Sequence, residues 1–328
     1  MRKAIIFGAL FLFLAFICNA ISFNRIIYPI KTMDASEYEL KQEKAPDRIA
    51  CSSPVAAEIL FAFNLSDKMV GLTEKCDYPD DAKKLPRIGG DKIDRNKMMK
   101  AAPDILILNL SDYSKDEITS FREIKFSRVV TFETWKGETS TEVRDISLEV
   151  FAIDPKSLSE IMQTITVLGT VTNREHAAYS LKQKLNRRIE WVAARARKSK
   201  NFGRLRAIVL TSRRPLSVAG EGTYLNDMIR LEGFIDVSKR GKEADVKMSR
   251  KEIEAANPDI IITSTDIARN PKDIYNSRDF RKTGAGKNKR VICIDKVIFE
   301  RPGPRAVNML EQIGEFAYGW SSTNEPNE

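Results

Sequence analysis

Short runs of apolar residues and longer stretches with apolar positions every third or fourth residue alternate along most of this 328-residue chain. Arg48-Ile-Ala-Cys51, Met69-Val-Gly-Leu72, Ile105–Asn109 and Arg128–Phe132 have the length and β-rich content of strands, and the stretches between them carry helical spacing. That alternation predicts a mainly parallel sheet with helices on both faces. After Val150-Phe-Ala-Ile153 the pattern predicts a helix over Ser157–Leu168 and then a long one from about Arg174 to Lys200. On the long one, Leu181, Leu185, Ile189 and Val192 form a single apolar stripe, which leaves the basic run Arg187 to Lys200 on a solvated face. A helix of roughly 27 residues spans about 40 Å, enough to run from one lobe to another. Beyond Phe202-Gly203 the strand pattern resumes at Leu205–Leu210, Ile260–Thr263 and Val291–Ile294.

Two distant stretches repeat one plan. Lys97-Met-Met-Lys-Ala-Ala-Pro-Asp-Ile-Leu-Ile107 and Lys251-Glu-Ile-Glu-Ala-Ala-Asn-Pro-Asp-Ile-Ile-Ile262 each read as a helix stopped by a Pro-Asp turn that feeds a buried strand. The expected fold is therefore α/β with two lobes, each a mainly parallel sheet with flanking helices, joined by one long helix. The lobes are expected over residues 46–170 and 203–320, the linking helix over 171–202 and a polar tail over 321–328. Residues 21–45 read as a tether, and Glu133 to Asp145 as a polar loop or insertion. Two facing lobes enclose a cleft, and open parallel sheets bind ligands at the carboxyl ends of their strands.

Residues 1–20 follow the plan of a secretory signal: Arg2-Lys3, the apolar run Ala4 to Ile17, and small residues ending at Ala20. An uncleaved anchor is the rival reading, and either one places the body outside the cytoplasm, in the periplasm or its equivalent. In that oxidising setting Cys51, ending the first predicted strand, and Cys76, following the second, are candidates for a disulfide. The formal charge of +9 is modest, and the basic residues lack the exposed aromatics between them that nucleic-acid binding wants. His176 is the single histidine, which removes multi-imidazole metal sites and Ser-His-Asp hydrolysis from consideration. No catalytic constellation, metal site or resident cofactor is expected.

The segments Val70-Gly-Leu-Thr-Glu-Lys-Cys-Asp-Tyr-Pro79, Leu85-Pro-Arg-Ile-Gly-Gly90, the two Pro-Asp-Ile units and Phe299-Glu-Arg-Pro-Gly-Pro-Arg305 resemble the periplasmic binding proteins of ABC importers for vitamin B12 and ferric siderophores. Cys-Asp-Tyr-Pro and Arg-Pro-Gly-Pro-Arg are most similar to the cobalamin-binding branch. The resemblance runs from about Arg48 to Tyr318 and implies a monomeric, non-enzymatic protein that captures cobalamin or a related corrinoid between its lobes and delivers it to an inner-membrane permease. It implies a ligand site at Ser53, Tyr78, Tyr224, Phe299 and Arg301, while Lys75, Gly90, Asn109 and Asp245 stand where the cobalamin binders line the cleft with aromatic residues. Arg213, beside Arg214, could clamp acidic groups with guanidinium fork geometry.

Two departures keep alternatives open. Loss of aromatic surface together with Lys75, Arg213, Arg214 and Arg301 suits a ferric siderophore or another anionic chelate. The family's permease-facing glutamates correspond to Asn96 and Lys251, with Glu252 one residue further round the helix, which suits a membrane-tethered interaction or sensory module that has lost importer docking.

Overall fold

The computed structural model describes residues 28–241 and 243–320, so the leader expected over 1–20 and the tail at 321–328 lie outside the described residues. The described chain opens with a hairpin, β1 (Ile30–Met33) and β2 (Glu39–Gln42). This corrects the expectation of a bare tether. Leu40 and Gln42 are buried, and the buried Asp34 carboxylate accepts the Ala152 N–H and pairs with Arg122 at 2.7 Å, which pins the hairpin to the first lobe.

The first lobe is a five-stranded parallel sheet. Its strands are β3 (Ile49–Cys51), β4 (Met69–Thr73), β5 (Arg87–Gly89) and β6 (Ile105–Asn109), in the order β5-β4-β3-β6 and closed at the far edge by β9 (Glu149–Ile153). The central strands are near-continuous apolar runs because helices cover both faces. Those helices are α1 (Pro54–Ala62), α2 (Arg95–Ala101), α3 (Lys115–Arg122) and α4 (Leu158–Val171). Each starts on a side-chain cap: Ser53 with Pro54 behind it, Asp94, Ser114 in a reciprocal box with Glu117, and Ser157.

Arg128–Phe132 is not part of this sheet. It belongs to β7 (Lys125–Glu133), which pairs antiparallel with β8 (Thr139–Ser147) in a separate ribbon, so residues 133–145 are a turn and a strand rather than a loop. Val129, Val143 and Trp135 remain exposed on it. β8 is almost wholly exposed and has no apolar side to announce it, so it reads as loop.

The linking helix α5 (Glu175–Lys198) rises about 36 Å. Leu185 and Val192 are buried, Leu181 and Ile189 pack beside them, and Arg195, Arg197 and Lys198 occupy the last turn, where positive charge suits the helix dipole. The second lobe is built on β10 (Arg206–Arg213), with β11 (Leu216–Ala219), β12 (Ile235–Asp236), β13 (Asp245–Lys247), β14 (Ile260–Ser264) and β15 (Val291–Ile294). β12, β10, β14 and β15 run parallel, whereas β11 and β13 form an antiparallel margin beyond β10. Its helices are α6 (Tyr224–Leu231), α7 (Arg250–Ala256), α8 (Lys272–Tyr275), α9 (Gly284–Lys287), α10 (Lys296–Glu300) and α11 (Ala306–Tyr318). One core runs through the whole molecule, from Ile49 and Ile107 through Leu168, Leu185 and Val192 to Val209 and Ile262.

The repeated sequence plan has a repeated geometry. α2 ends at Ala102 and α7 at Asn257, with φ of +44° and +43°, in the left-handed region that breaks a helix. Asp104 and Asp259 follow after a proline, and each carboxylate accepts the backbone N–H at the start of its lobe's first strand, from Arg48 at 2.9 Å and Arg206 at 3.0 Å. The aspartate of each Pro-Asp turn thus locks one strand start to the next.

Candidate ligand cleft

The carboxyl ends of the strands face each other across a cavity of about 870 Å³ between the lobes. Ser53 opens α1 at its wall, Lys75 follows β4, and Asn109 ends β6. From the second lobe Tyr224 opens α6, Asp245 starts β13, and Phe299 and Arg301 close α10. Seven of the ten expected ligand residues therefore share one cavity.

Three do not line it. Tyr78 sits outside with the Arg305 guanidinium 4.0 Å from its ring centroid. Gly90 is exposed beside the rim residue Asp91. Arg213 and Arg214 face a different cavity on the second lobe, because the bulge between Leu210 and Ser212 and the turn into the antiparallel β11 carry them away from the cleft. Asn96 and Lys251 are exposed at the starts of α2 and α7, whereas Glu252 is engaged by the Ser249 cap and by Lys239 at 3.2 Å. Those hydrogen bonds hold the Glu252 carboxyl down at about 2.

Charge in the cleft is largely carboxylate. Asp91, Asp112, Asp154, Asp245, Asp266 and Glu300 line it against Lys75, Lys156, Lys296 and Arg301. Three of the four cations are engaged: Lys156 with Asp154 at 3.1 Å, Lys296 with Asp266 at 3.3 Å, and Arg301 with Asp77 at 2.6 Å. Lys75 is the one lining cation without an ion pair among the described residues, and Asp91, Asp112 and Asp245 likewise make none. Aromatic surface is confined to Tyr224 and Phe299, both mostly buried. The Tyr224 hydroxyl and the Thr211 Oγ1 on the second-lobe wall are buried without a hydrogen-bond partner, and burial pushes the Tyr224 phenol above its ordinary range. Thr211, Asp154 and Asp266 were not singled out from sequence. Position just past a strand is the signal that marks both aspartates, Asp154 directly after β9 and Asp266 two residues beyond the end of β14.

The segment Phe299–Arg305 crosses from the second lobe to the first. Arg301 meets Asp77, and Arg305 donates through Nε to Glu58 at 3.0 Å and through Nη2 to the same carboxylate oxygen, while Gly303 lies against Val55 and Glu58. Burial would raise the Asp77 carboxyl, but the Arg301 hydrogen bond and charge hold it below its usual range. At Glu58 burial wins and the carboxyl is raised despite Arg305. Beneath the same wall Cys51 and Cys76 are free thiols, not a disulfide, with the Cys76 Sγ 3.7 Å from the Cys51 carbonyl. Burial pushes the Cys51 thiol well up, which favours the inert protonated form.

Two α/β lobes, a helical link and a cleft fed by strand ends make up a two-lobed binding architecture. A family model described as periplasmic binding protein matches residues 49–298, and the chain belongs to that family. The chain is 23% identical over 89% of its length to YvrC of Bacillus subtilis, an uncharacterized ABC transporter substrate-binding lipoprotein of which the match covers 86%. It is also 22% identical to the vitamin B12-binding protein of Vibrio cholerae, over 81% of this chain and 87% of that one. A possible iron-binding (periplasmic solute-binding) protein from Staphylococcus epidermidis shares the fold, with a TM-score of 0.68 over 84% of this chain and all of that one, at 22% identity. No helix among the described residues is long and apolar enough to cross a membrane.

Proposed function

We propose that this protein is the extracytoplasmic capture component of an ABC importer and that its cargo is cobalamin or a related corrinoid. The observation that carries this reading is the interlobe cavity, about 870 Å³ and bordered by six carboxylates against four cations, with Asp91, Asp112 and Asp245 outside every ion pair among the described residues. That volume lies near the upper end of the roughly 300–1,000 Å³ of ligand pockets. A corrin carries many amide donors and a positively charged metal centre, which Asp91, Asp112 and Asp245 can meet. Similarity to a vitamin B12-binding protein across most of the chain supports the same cargo. Delivery would present the starts of α2 and α7, with Asn96 and Lys251, to the permease.

A ferric chelate is the second reading, favoured by the scarcity of aromatic surface in the cleft. Its electrostatic basis is narrower than the linear chain suggests, since Arg213 and Arg214 face elsewhere and Arg301 is paired. Calorimetric titration with cyanocobalamin, hydroxocobalamin and cobinamide, followed by ferric siderophores in the same buffer, separates the two. Submicromolar corrinoid binding is the expected result; binding of ferric chelates alone would transfer the protein to iron uptake.

A further inference from the structure

A second cavity, of about 550 Å³, lies on the second lobe where the β10–β11 turn meets α8 and the turn that follows it. Four cations border it: Arg213 and Arg214 from the first turn, Lys272 from α8, and Arg278 from the second. None of the four makes an ion pair with a described residue, although Asp273 and Asp279 border the same cavity. Holding like charges together around a concavity costs energy unless an anion offsets it. The turn also fixes its backbone independently of those charges, since the Arg214 N–H donates to the Ser212 Oγ at 3.2 Å.

An independent observation points the same way. Ser277, on the wall of this cavity, has a buried hydroxyl with no hydrogen-bond partner, while its backbone N–H and carbonyl are both engaged, to Ile274 at 2.9 Å and from Arg281 at 3.0 Å. A buried hydroxyl normally has a partner. Guanidinium forks beside a hydroxyl donor suit the tetrahedral oxygens of a phosphate, which Arg can meet two bonds at a time.

We propose that this cavity is a binding site for a phosphate-type dianion, separate from the cleft and independent of what the cleft carries. Arg213 and Arg214 grip the phosphate oxygens from one side, Lys272 and Arg278 supply charge from the other, and the Ser277 hydroxyl donates. The dianion can come from a free phosphorylated solute or from a lipid headgroup.

The test titrates the full chain with inorganic phosphate and pyrophosphate at ionic strength held constant with chloride. Saturable binding is expected, weakened about ten-fold or more in R213A/R214A, as loss of charge-assisted hydrogen bonds implies, and weakened also in Lys272→Gln on the opposite wall. Lys75→Ala, in the cleft, should leave it in place. Flotation with phosphatidylcholine vesicles with and without phosphatidic acid distinguishes the sources: retention that needs phosphatidic acid and Arg213/Arg214 identifies the headgroup, and phosphate binding without it identifies a soluble ligand. No saturable binding in either arm, or phosphate binding lost in Lys75→Ala and kept in R213A/R214A, overturns the proposal.

Discussion

Glu232 is fully buried, and neither of its carboxylate oxygens has a hydrogen-bond partner. Burial pushes its carboxyl up to about 9, so the folded protein holds it neutral at physiological pH. The sign of the consequence follows by linkage. Below about pH 4.5 the group is protonated in both folded and unfolded chains, and its contribution is intact; as pH rises towards 9 only the unfolded chain ionises, and stability falls. Glu232→Gln should therefore stabilise the protein at pH 8, by on the order of 2–4 kcal/mol, with the gain vanishing near pH 4. Denaturant melts of both proteins at the two pH values check this, and an equal gain at both would refute the assignment. At the same scale, Asp245→Asn removes one cleft carboxylate that makes no ion pair among the described residues. It should weaken a positively charged corrinoid a few-fold and lower the salt sensitivity of binding, measured by titration at two ionic strengths.

Among the elements, the two Pro-Asp units make the clearest case for what local chemistry encodes. Proline after a helix and an aspartate that can cap a neighbouring strand start are signals contained in a few residues, and both units were legible as written. Asp104→Ala and Asp259→Ala should each cost about 1–3 kcal/mol, since each leaves a strand-start N–H without its charged acceptor. Hydrogen exchange should accelerate chiefly in the lobe that carries the change; uniform acceleration across both lobes would contradict the idea that each lock is local. The β7–β8 ribbon and the β1–β2 hairpin were harder to read for opposite reasons. The β8 half of the ribbon is almost wholly exposed and shows no alternation that separates it from loop, and the hairpin is anchored by Asp34 and Gln42, buried polar side chains whose partners Ala152, Arg122 and Glu149 lie far along the chain. Lys75 and Asn109 were legible because the family resemblance names them, and position at a strand end points to the same cleft. Arg213 was misplaced because a one-residue bulge redirects a turn without leaving a mark in the composition.

For the whole molecule, the crossing segment Phe299–Arg305 ties the second lobe to the first at the floor of the cleft. Arg305→Ala would strand the buried Glu58 carboxylate, 7% exposed, without its counter-charge, at a cost of roughly 3 kcal/mol. Adding Glu58→Gln should recover much of that loss, because the neutral amide needs no cation. A double-mutant cycle in denaturant tests it, and additive losses would remove the Arg305–Glu58 tie. The same cycle monitored by cargo titration should show affinity falling with the tie, since the neighbouring cleft wall at Phe299 and Arg301 is then held less firmly.

Most of the cleft positions came from the resemblance to a known family, whereas sequence by itself determined the two-lobed α/β plan, the strand and helix order around each Pro-Asp turn and the linking helix. These follow from periodicity, caps and turns, which act over a few residues. Only the tertiary structure decided which charges remain free. Arg301 finds Asp77 at a separation of 224 residues and Arg305 finds Glu58 at 247, so the cleft's electrostatic character emerges only when the lobes meet. A side chain's charge is written in the chain, but whether it is offset depends on neighbours that folding alone supplies.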